Sequence, residues 1–279
     1  MFYPPMLLET APGPFYSSDF IFEPKYDGIR VQFSNIYKPI LYTRNGSIIN
    51  TQFPELLDSL SKNVVIDGEL IGLTKEGKED FEGVMKRFRM RKKEKIADHI
   101  TLNPISYKVF DILYYEGQDL RNKILLERKD LLEDIIVENN IVNIVPHIIA
   151  DGINYFEHVK KFGLEGMVAK KLSSPYLGKR SSYWLKVINW LETDAIISGY
   201  RKKDNALLCS HKDGTTLGLV LNGISTNQRE ALLKVAKQLI HREDSEYFYL
   251  QPLLKCKLKG RGFLSNGILR SPSFIDFIL

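Results

Sequence analysis

The chain has 279 residues, with 39 Lys and Arg against 34 Asp and Glu, a formal net charge of +5. With 44% hydrophobic and 26% charged residues it holds enough apolar material to offset the entropy of ordering, which excludes chain-wide disorder. No apolar run nears the ~18 residues that span a bilayer. The start, MFYPPMLLETAP, lacks the pattern of a signal peptide, and two cysteines, Cys209 and Cys256, are too few for a disulfide framework or a four-cysteine zinc site. A protein of the reducing cytoplasm with no membrane attachment is expected.

In chain order, strands are expected at 20–22, 29–33, 40–43, 64–73, 107–114, 166–170 and 183–188. These runs are rich in Ile, Val, Tyr and Phe and are bounded by turns such as Asp27-Gly28, Asn45-Gly46 and Asp67-Gly68. Apolar spacings of three and four place helices at 53–61, 80–95, 124–138 and 153–162. The order is no regular βαβ alternation, so the expected class is α+β with an antiparallel sheet. After Trp190 the texture changes. Five short strands, at 194–200, 206–211, 215–221, 248–257 and 268–274, with a helix at 227–240, suggest a small oligonucleotide-binding (OB) barrel. The domains are then 1–188 and 189–279.

The charge is uneven. From Asn189 to Leu279 there are 13 basic and 9 acidic residues, most of the total excess. A second concentration, Lys86 to Lys95, holds seven cations and one anion. Such a run is either a solvated helix face or a phosphate-contacting element, and charge alone does not separate the two. The five histidines, His99, His147, His158, His211 and His241, are scattered without metal-ligand spacing.

The segment from Phe20 to Arg30 carries Lys25 between two apolar stretches. In extended backbone Glu23, Lys25 and Asp27 share one face. A lysine is a nucleophile only as the neutral amine, and burial or nearby cations favour that form. Taken alone, a surface hairpin turning at Asp27-Gly28 explains the segment as well.

Lys25-Tyr26-Asp27-Gly28-Ile29-Arg30 matches the Lys-x-Asp-Gly-x-Arg signature of covalent nucleotidyltransferases. The chain resembles ATP-dependent DNA ligases, above all the compact bacterial and phage type and the ligase domain of bacterial end-joining enzymes. The resemblance covers nearly the whole chain. It implies an antiparallel adenylation domain followed by an OB-fold DNA-binding domain. It makes Lys25 the nucleophile that becomes lysyl-AMP, sets Asp27 with it in the catalytic group, gives Glu23 the adenine and gives Arg30 the ribose and phosphates. Thr43-Arg44-Asn45-Gly46 resembles the next motif, with Arg44 on phosphate or ribose. Ile66-Asp67-Gly68-Glu69 resembles the third, with Glu69 near the ribose or a divalent ion.

Further along, Phe110 matches the aromatic that stacks on adenine. In Glu165-Gly166-Met167-Val168-Ala169-Lys170, Glu165 matches a metal ligand and Lys170 a phosphate-side lysine. Trp184-Leu185-Lys186 places Lys186 on the α-phosphate. Leu269-Arg270-Ser271-Pro272 resembles the last motif, with Arg270 toward the pyrophosphate. The implied cofactors are ATP and Mg²⁺ or Mn²⁺, the metal held by Glu69 and Glu165. The implied substrate is nicked duplex DNA, bound by a monomer. Two departures stand out: Ile188 replaces a second lysine, and the Asp-Lys pair that often follows the last motif is absent.

RNA ligases and capping guanylyltransferases share the lysine motif, but the Trp184 and Arg270 signatures favour DNA ligase. An NAD-dependent relative would need a cysteine zinc site, and no Gly-x4-Gly-Lys-Ser/Thr loop occurs. A non-catalytic nucleic-acid-binding module is the alternative from another class. No motif distinguishes repair, end joining and phage replication.

Overall fold

A computed structural model describes residues 1–60 and 63–278. It divides into two units, Met1–Asn189 and Trp190–Leu279. The first contains β1 (Leu7–Thr10), β2 (Tyr16–Pro24), β3 (Ile29–Ser34), β4 (Ile40–Thr43), β5 (Val64–Gly72), α1 (Phe81–Phe88), α2 (Lys93–Leu102) and β6 (Ile105–Tyr115). It continues with β7 (Gln118–Asp119), α3 (Leu125–Ile135), β8 (Val142–Ile144), β9 (Ile148–Asp151), α4 (Gly152–Lys161), β10 (Gly166–Lys171) and β11 (Arg180–Ile188). Among the described residues, no helix is long and apolar enough to cross a membrane.

These strands form a five-stranded sheet, β1-β11-β10-β2-β9, and a six-stranded sheet, β4-β3-β5-β6-β7 with β8 beside β6. In the described part of this unit, pairing is antiparallel except where β1 meets β11 and β8 meets β6. Side chains alternate between the faces of a strand, which divides each sheet into an apolar and a polar side. On the five-stranded sheet Phe22, Met167, Ala169 and Val187 pack with Phe156 and Val159 of α4. On the opposite face Glu23, Val168 and Lys186 lie in register, and Lys170 stands opposite Trp184. The six-stranded sheet buries Val31, Phe33, Ile66, Leu70 and Val109 with Val84 of α1 and Leu132 of α3. Its other face carries Arg30 opposite Glu69.

Two of this unit's expected helices depart most from the structure, and the one expected at 124–138 ends early, at Ile135. The expected helix at 53–61 is a single 3₁₀ turn, Pro54–Leu56; Ser61 lies outside the described residues. One turn is enough to bury both Phe53 and Leu56, the pair whose spacing suggested a longer element. The expected helix at 80–95 breaks into α1 and α2, with Lys92 extended at φ −87° and ψ 122°. Like charges crowded along one helix oppose its continuation there. The run is also not uniformly solvated: Arg87 is fully buried, donating to Gln52 O at 2.8 Å and pairing with Glu55 at 2.5 Å.

The second unit contains β12 (Leu191–Arg201), β13 (Leu207–Ser210), β14 (Thr216–Val220), α5 (Thr226–Ala236), β15 (Ile240–Glu243), β16 (Tyr247–Leu250), β17 (Lys255–Gly260) and β18 (Ser273–Ile278). Its one sheet has seven strands where five were expected. The expected strand at 248–257 is two, β16 and β17, because Pro252 lies between them and has no N–H to offer a ladder. The helix expected at 227–240 ends at Ala236, a 3₁₀ turn follows, and β15 begins at Ile240. The last expected strand starts late, after Pro272, at Ser273. Long β12 pairs with β17 over Leu191–Ile196 and with β16 over Gly199–Arg201. A parallel bridge from Asn222, just past β14, to Ser273 brings the sheet's outer strands together.

Candidate active site

β2 ends at Pro24, so Lys25 to Gly28 form a loop and not the extended segment in which Glu23, Lys25 and Asp27 share a face. The loop passes hard against β5. A Cβ on Gly28 would lie 2.2 Å from the Leu70 carbonyl oxygen, so only glycine fits. Lys25 is fixed at both ends: its backbone N–H donates to Gly166 O at 3.0 Å, and its Nζ donates to Glu165 Oε2 at 2.6 Å. Asp27 stays in the loop, outside the cavity that begins here.

That cavity is lined by Glu23, Lys25, Tyr26, Arg30, Glu69, Phe110, Lys170 and Trp184, with Leu8, Pro24, Val145 and Val168. The two sheets supply its walls. From β3, Arg30 reaches Asp67 with Nε at 3.1 Å and Nη2 at 2.7 Å, and donates through Nη1 to Met6 O at 2.6 Å. The Tyr176 hydroxyl donates to the same Asp67 carboxylate at 2.6 Å. A two-point guanidinium–carboxylate contact of this kind fixes orientation as well as position. Burial pushes the Glu69 carboxyl up to about 7; Glu165 and Asp67 add to the push, and Lys25 and Arg30 oppose it.

The other end of the cavity is aromatic and cationic. Phe110 enters it from a β-bulge, since Val109 pairs with Gly68 and Asp111 with Asp67, leaving Phe110 as the extra residue. Its ring meets Trp184 edge to face, 6.0 Å between centroids and 83° between planes. Lys170 Nζ lies 4.3 Å from both ring centroids and 2.6 Å from Glu23 Oε2. Burial lowers the Lys170 amine to about 8, helped by the charge of Lys129 and opposed by Glu23. Lys129 Nζ holds the other Glu23 oxygen, Oε1, at 2.5 Å. Burial alone would raise the Glu23 carboxyl; Lys129 and Lys170 outweigh it and hold the carboxyl below its ordinary range.

Of the residues expected in the site, Glu23, Lys25, Arg30, Glu69, Phe110 and Lys170 line this cavity. Lys170, expected on the phosphate side, is paired with Glu23 and lies over the Phe110 ring. Glu165 joins through Lys25. Lys186 is placed on the cavity-facing side of β11 by its register with Val168, though it is not among the lining residues. Arg44 is exposed in the turn closed by Gly46 N–H to Thr43 O, and Arg270 belongs to the second unit, where its N–H donates to Gly262 O. Ile188 is buried opposite Gly166. Sequence reasoning missed Asp67 and Tyr176 as the holders of Arg30. It also missed Lys129, which in sequence is one more charge on a charged helix.

A family model described as "ATP dependent DNA ligase domain" matches residues 5–187. The chain belongs to the ATP-dependent DNA ligase family. It is 38% identical over 277 residues to the SPbeta prophage-derived DNA ligase-like protein LigB of Bacillus subtilis (strain 168), a match covering 98% of each chain. To the bifunctional non-homologous end joining protein LigD of the same strain it is 29% identical over 302 residues; the match takes in 98% of this chain but 48% of that ligase, so the chain spans about half its length. Among solved structures, a mycobacterial DNA ligase D complexed with ATP and MES has a TM-score of 0.61 at 24% identity, with 99% of this chain and 95% of that chain covered. A Lig E DNA ligase from a study of DNA binding with a minimal scaffold reaches 0.69 at 18% identity, with both chains wholly covered. These two structures share the ligase fold.

Proposed function

We propose that this ligase seals nicks in duplex DNA, joining a 3′-hydroxyl to a 5′-phosphate through an AMP carried on Lys25. One juxtaposition supports the reading above all: the Lys25 amine, paired with Glu165, opens onto a cavity whose other end is built from Glu23, Lys170, Phe110 and Trp184. In the first step the Lys25 ammonium loses a proton to solvent and the neutral amine attacks the α-phosphate of ATP; the N–P bond forms as the bond to the departing pyrophosphate breaks, and the nitrogen sheds a second proton. AMP then passes to the DNA 5′-phosphate, and the 3′-hydroxyl displaces it.

The adenine would lie by the Phe110 and Trp184 rings, with Lys170 and Glu23 at its edge. Arg30, immobilised by Asp67, and Lys186 are the cations for ribose and phosphate, where fixed positive charge offsets what builds up during transfer. Asp27, in the loop beside Lys25, keeps its place in the catalytic group, and Arg44 its role toward phosphate or ribose, as the family resemblance implies.

Glu69 and Glu165 fit a divalent ion. Among the described residues there is no group of three or more His, Cys, Asp or Glu to hold one. Mg²⁺ is satisfied by one or two carboxylates when phosphate oxygens complete its shell. Burial is the main cause of the raised Glu69 carboxyl, and the negative charges of Glu165 and Asp67 add to it, an environment that a cation bound beside Glu69 would relieve. Bound there, Mg²⁺ or Mn²⁺ supplies charge neutralisation at the phosphates.

The second unit, 189–279, is read as an OB-fold domain that binds the duplex, helped by the exposed cations Lys86, Arg89, Arg91, Lys92, Lys93 and Lys95. Incubation with labelled ATP and Mg²⁺ traps AMP on the wild-type chain and not on Lys25→Ala, and the wild type closes a nicked duplex. Labelling of Lys25→Ala overturns the nucleophile. Failure to seal both plain and pre-adenylated nicks favours a nucleic-acid-binding module.

A further inference from the structure

Behind the cavity wall stands a cation that the reaction does not touch. Lys129 reaches from α3 to Glu23 Oε1 at 2.5 Å, while Lys170 takes Oε2 at 2.6 Å, and all three side chains are 2% exposed. Glu23 and Lys170 line the cavity; Lys129 does not. Among the described residues, Lys129 Nζ also makes a long contact, 3.5 Å, to Val145 O. The preceding residue, Arg128, clamps Asp111 through Nε at 2.7 Å and Nη2 at 2.8 Å, next to Phe110 in sequence. Consecutive cations of α3 therefore hold a carboxylate on each sheet.

A carboxylate with one ammonium on each oxygen has no freedom to turn. With the rear cation gone, both oxygens of Glu23 are available to Lys170. Its ammonium is then drawn toward Glu23, off its place 4.3 Å from the Phe110 and Trp184 ring centroids. Where that ammonium stands matters for a purine. An ammonium only donates. The adenine edge offers it the N1 acceptor, whereas guanine presents an N1–H donor there and its acceptor one atom along, at O6.

We propose that Lys129 is a positioning residue for recognition of the purine base: by occupying one oxygen of Glu23 it makes the other hold the Lys170 ammonium where it meets adenine and not guanine. This rests on reading the cavity as the ATP site of a Lys25 adenylyltransferase. Lys129 touches neither nucleotide nor DNA, so its loss acts on base affinity and leaves the chemistry at Lys25 alone.

The test is single-turnover adenylylation of the full chain over a range of ATP, with GTP as competing donor, for the wild type, Lys129→Met, Lys129→Gln and Lys129→Arg. Lys129→Gln keeps a hydrogen-bond donor for Glu23 and serves if the methionine variant does not fold. In either uncharged variant the half-saturating ATP concentration rises about tenfold and the preference for ATP over GTP falls about tenfold, while the rate at saturating ATP stays within roughly threefold. Lys129→Arg, which keeps the cation, restores both. An unchanged ATP requirement and base preference in a folded uncharged variant overturns the proposal. So does a lower saturating rate with affinity intact. Absence of labelling in the wild type is a different result, and overturns the ligase reading itself.

Discussion

Lys25 and Glu165 meet in a 2.6 Å ion pair whose carboxylate is 4% exposed. The neighbouring backbone doubles the link, since Lys25 N–H donates to Gly166 O at 3.0 Å. The loop after β2 is thus docked on the start of β10 by a main-chain and a side-chain bond. Glu165→Gln keeps the shape of this contact and removes its charge. Initial rates of AMP transfer to Lys25 should fall by about a hundredfold, as when one charge-stabilising group is removed from an acyl- or phosphoryl-transfer site, with little change in melting temperature. A variant labelled at the wild-type rate would show that the Glu165 charge has no part in the first step.

Glu23 makes stability depend on pH. Its carboxyl is held below its ordinary value of 4.5 in the folded chain by Lys129 and Lys170. A depressed carboxyl stabilises the fold above its unfolded pKa, and that contribution is lost as the pH falls through the folded value. Glu23→Gln leaves two buried ammonium groups without a counter-charge and should cost about 3 kcal/mol near neutral pH. In urea titrations the gap between wild type and variant should be full at pH 7, begin to narrow as the pH falls below 4.5, and close only as it passes through the lower folded value, where the folded wild-type carboxyl is neutral too. A gap that stays constant down to strongly acid pH would contradict the assignment.

Gly28 leaves no room for a methyl group, with the Leu70 carbonyl oxygen 2.2 Å from where a Cβ would stand. Relieving that overlap means moving the loop that carries Lys25. Gly28→Ala should lose about 3 kcal/mol in denaturant unfolding, as overpacked sites do, and lose AMP labelling with it. Wild-type stability in this variant would mean that the loop has slack.

The exposed cations between Lys86 and Lys95 predict a division between the two activities. Each phosphate contact adds roughly 0.9 to the slope of log affinity against log salt. Lys92→Glu with Lys93→Glu should flatten the salt dependence of nicked-duplex binding and weaken sealing at physiological salt, with ATP labelling of Lys25 unaltered. If labelling and sealing decline together, the run serves the fold and not the duplex.

The site was legible wherever the chemistry lies in one short segment. The Lys25 loop follows a strand as its apolar flank suggests, and Arg30 and Glu69 face each other because their strands pair. Partners joined only by the fold were not legible. Nothing near Lys129 marks it as buried, since its segment Glu127-Arg128-Lys129-Asp130 has the composition of a solvated helix. Tyr176 and Asp67 meet through a hydrogen bond across 109 positions of chain. Boundaries failed where proline or charge cut an apolar run, as at Pro252 and around Lys92.

β6 is also where plain alternation misleads. Ile105, Tyr107, Val109, Ile112 and Tyr115 join the main core, while Phe110, Leu113 and Tyr114 belong to the cluster on the other side. The core-facing interval stretches from two residues to three at each shift of register with β5. With Phe110 deleted, Ile112 would follow Val109 at the ordinary interval, and every core position would still be filled. The ring is thus surplus to the sheet that displays it. The register of the main core and the ring shown to the cavity are therefore separable text.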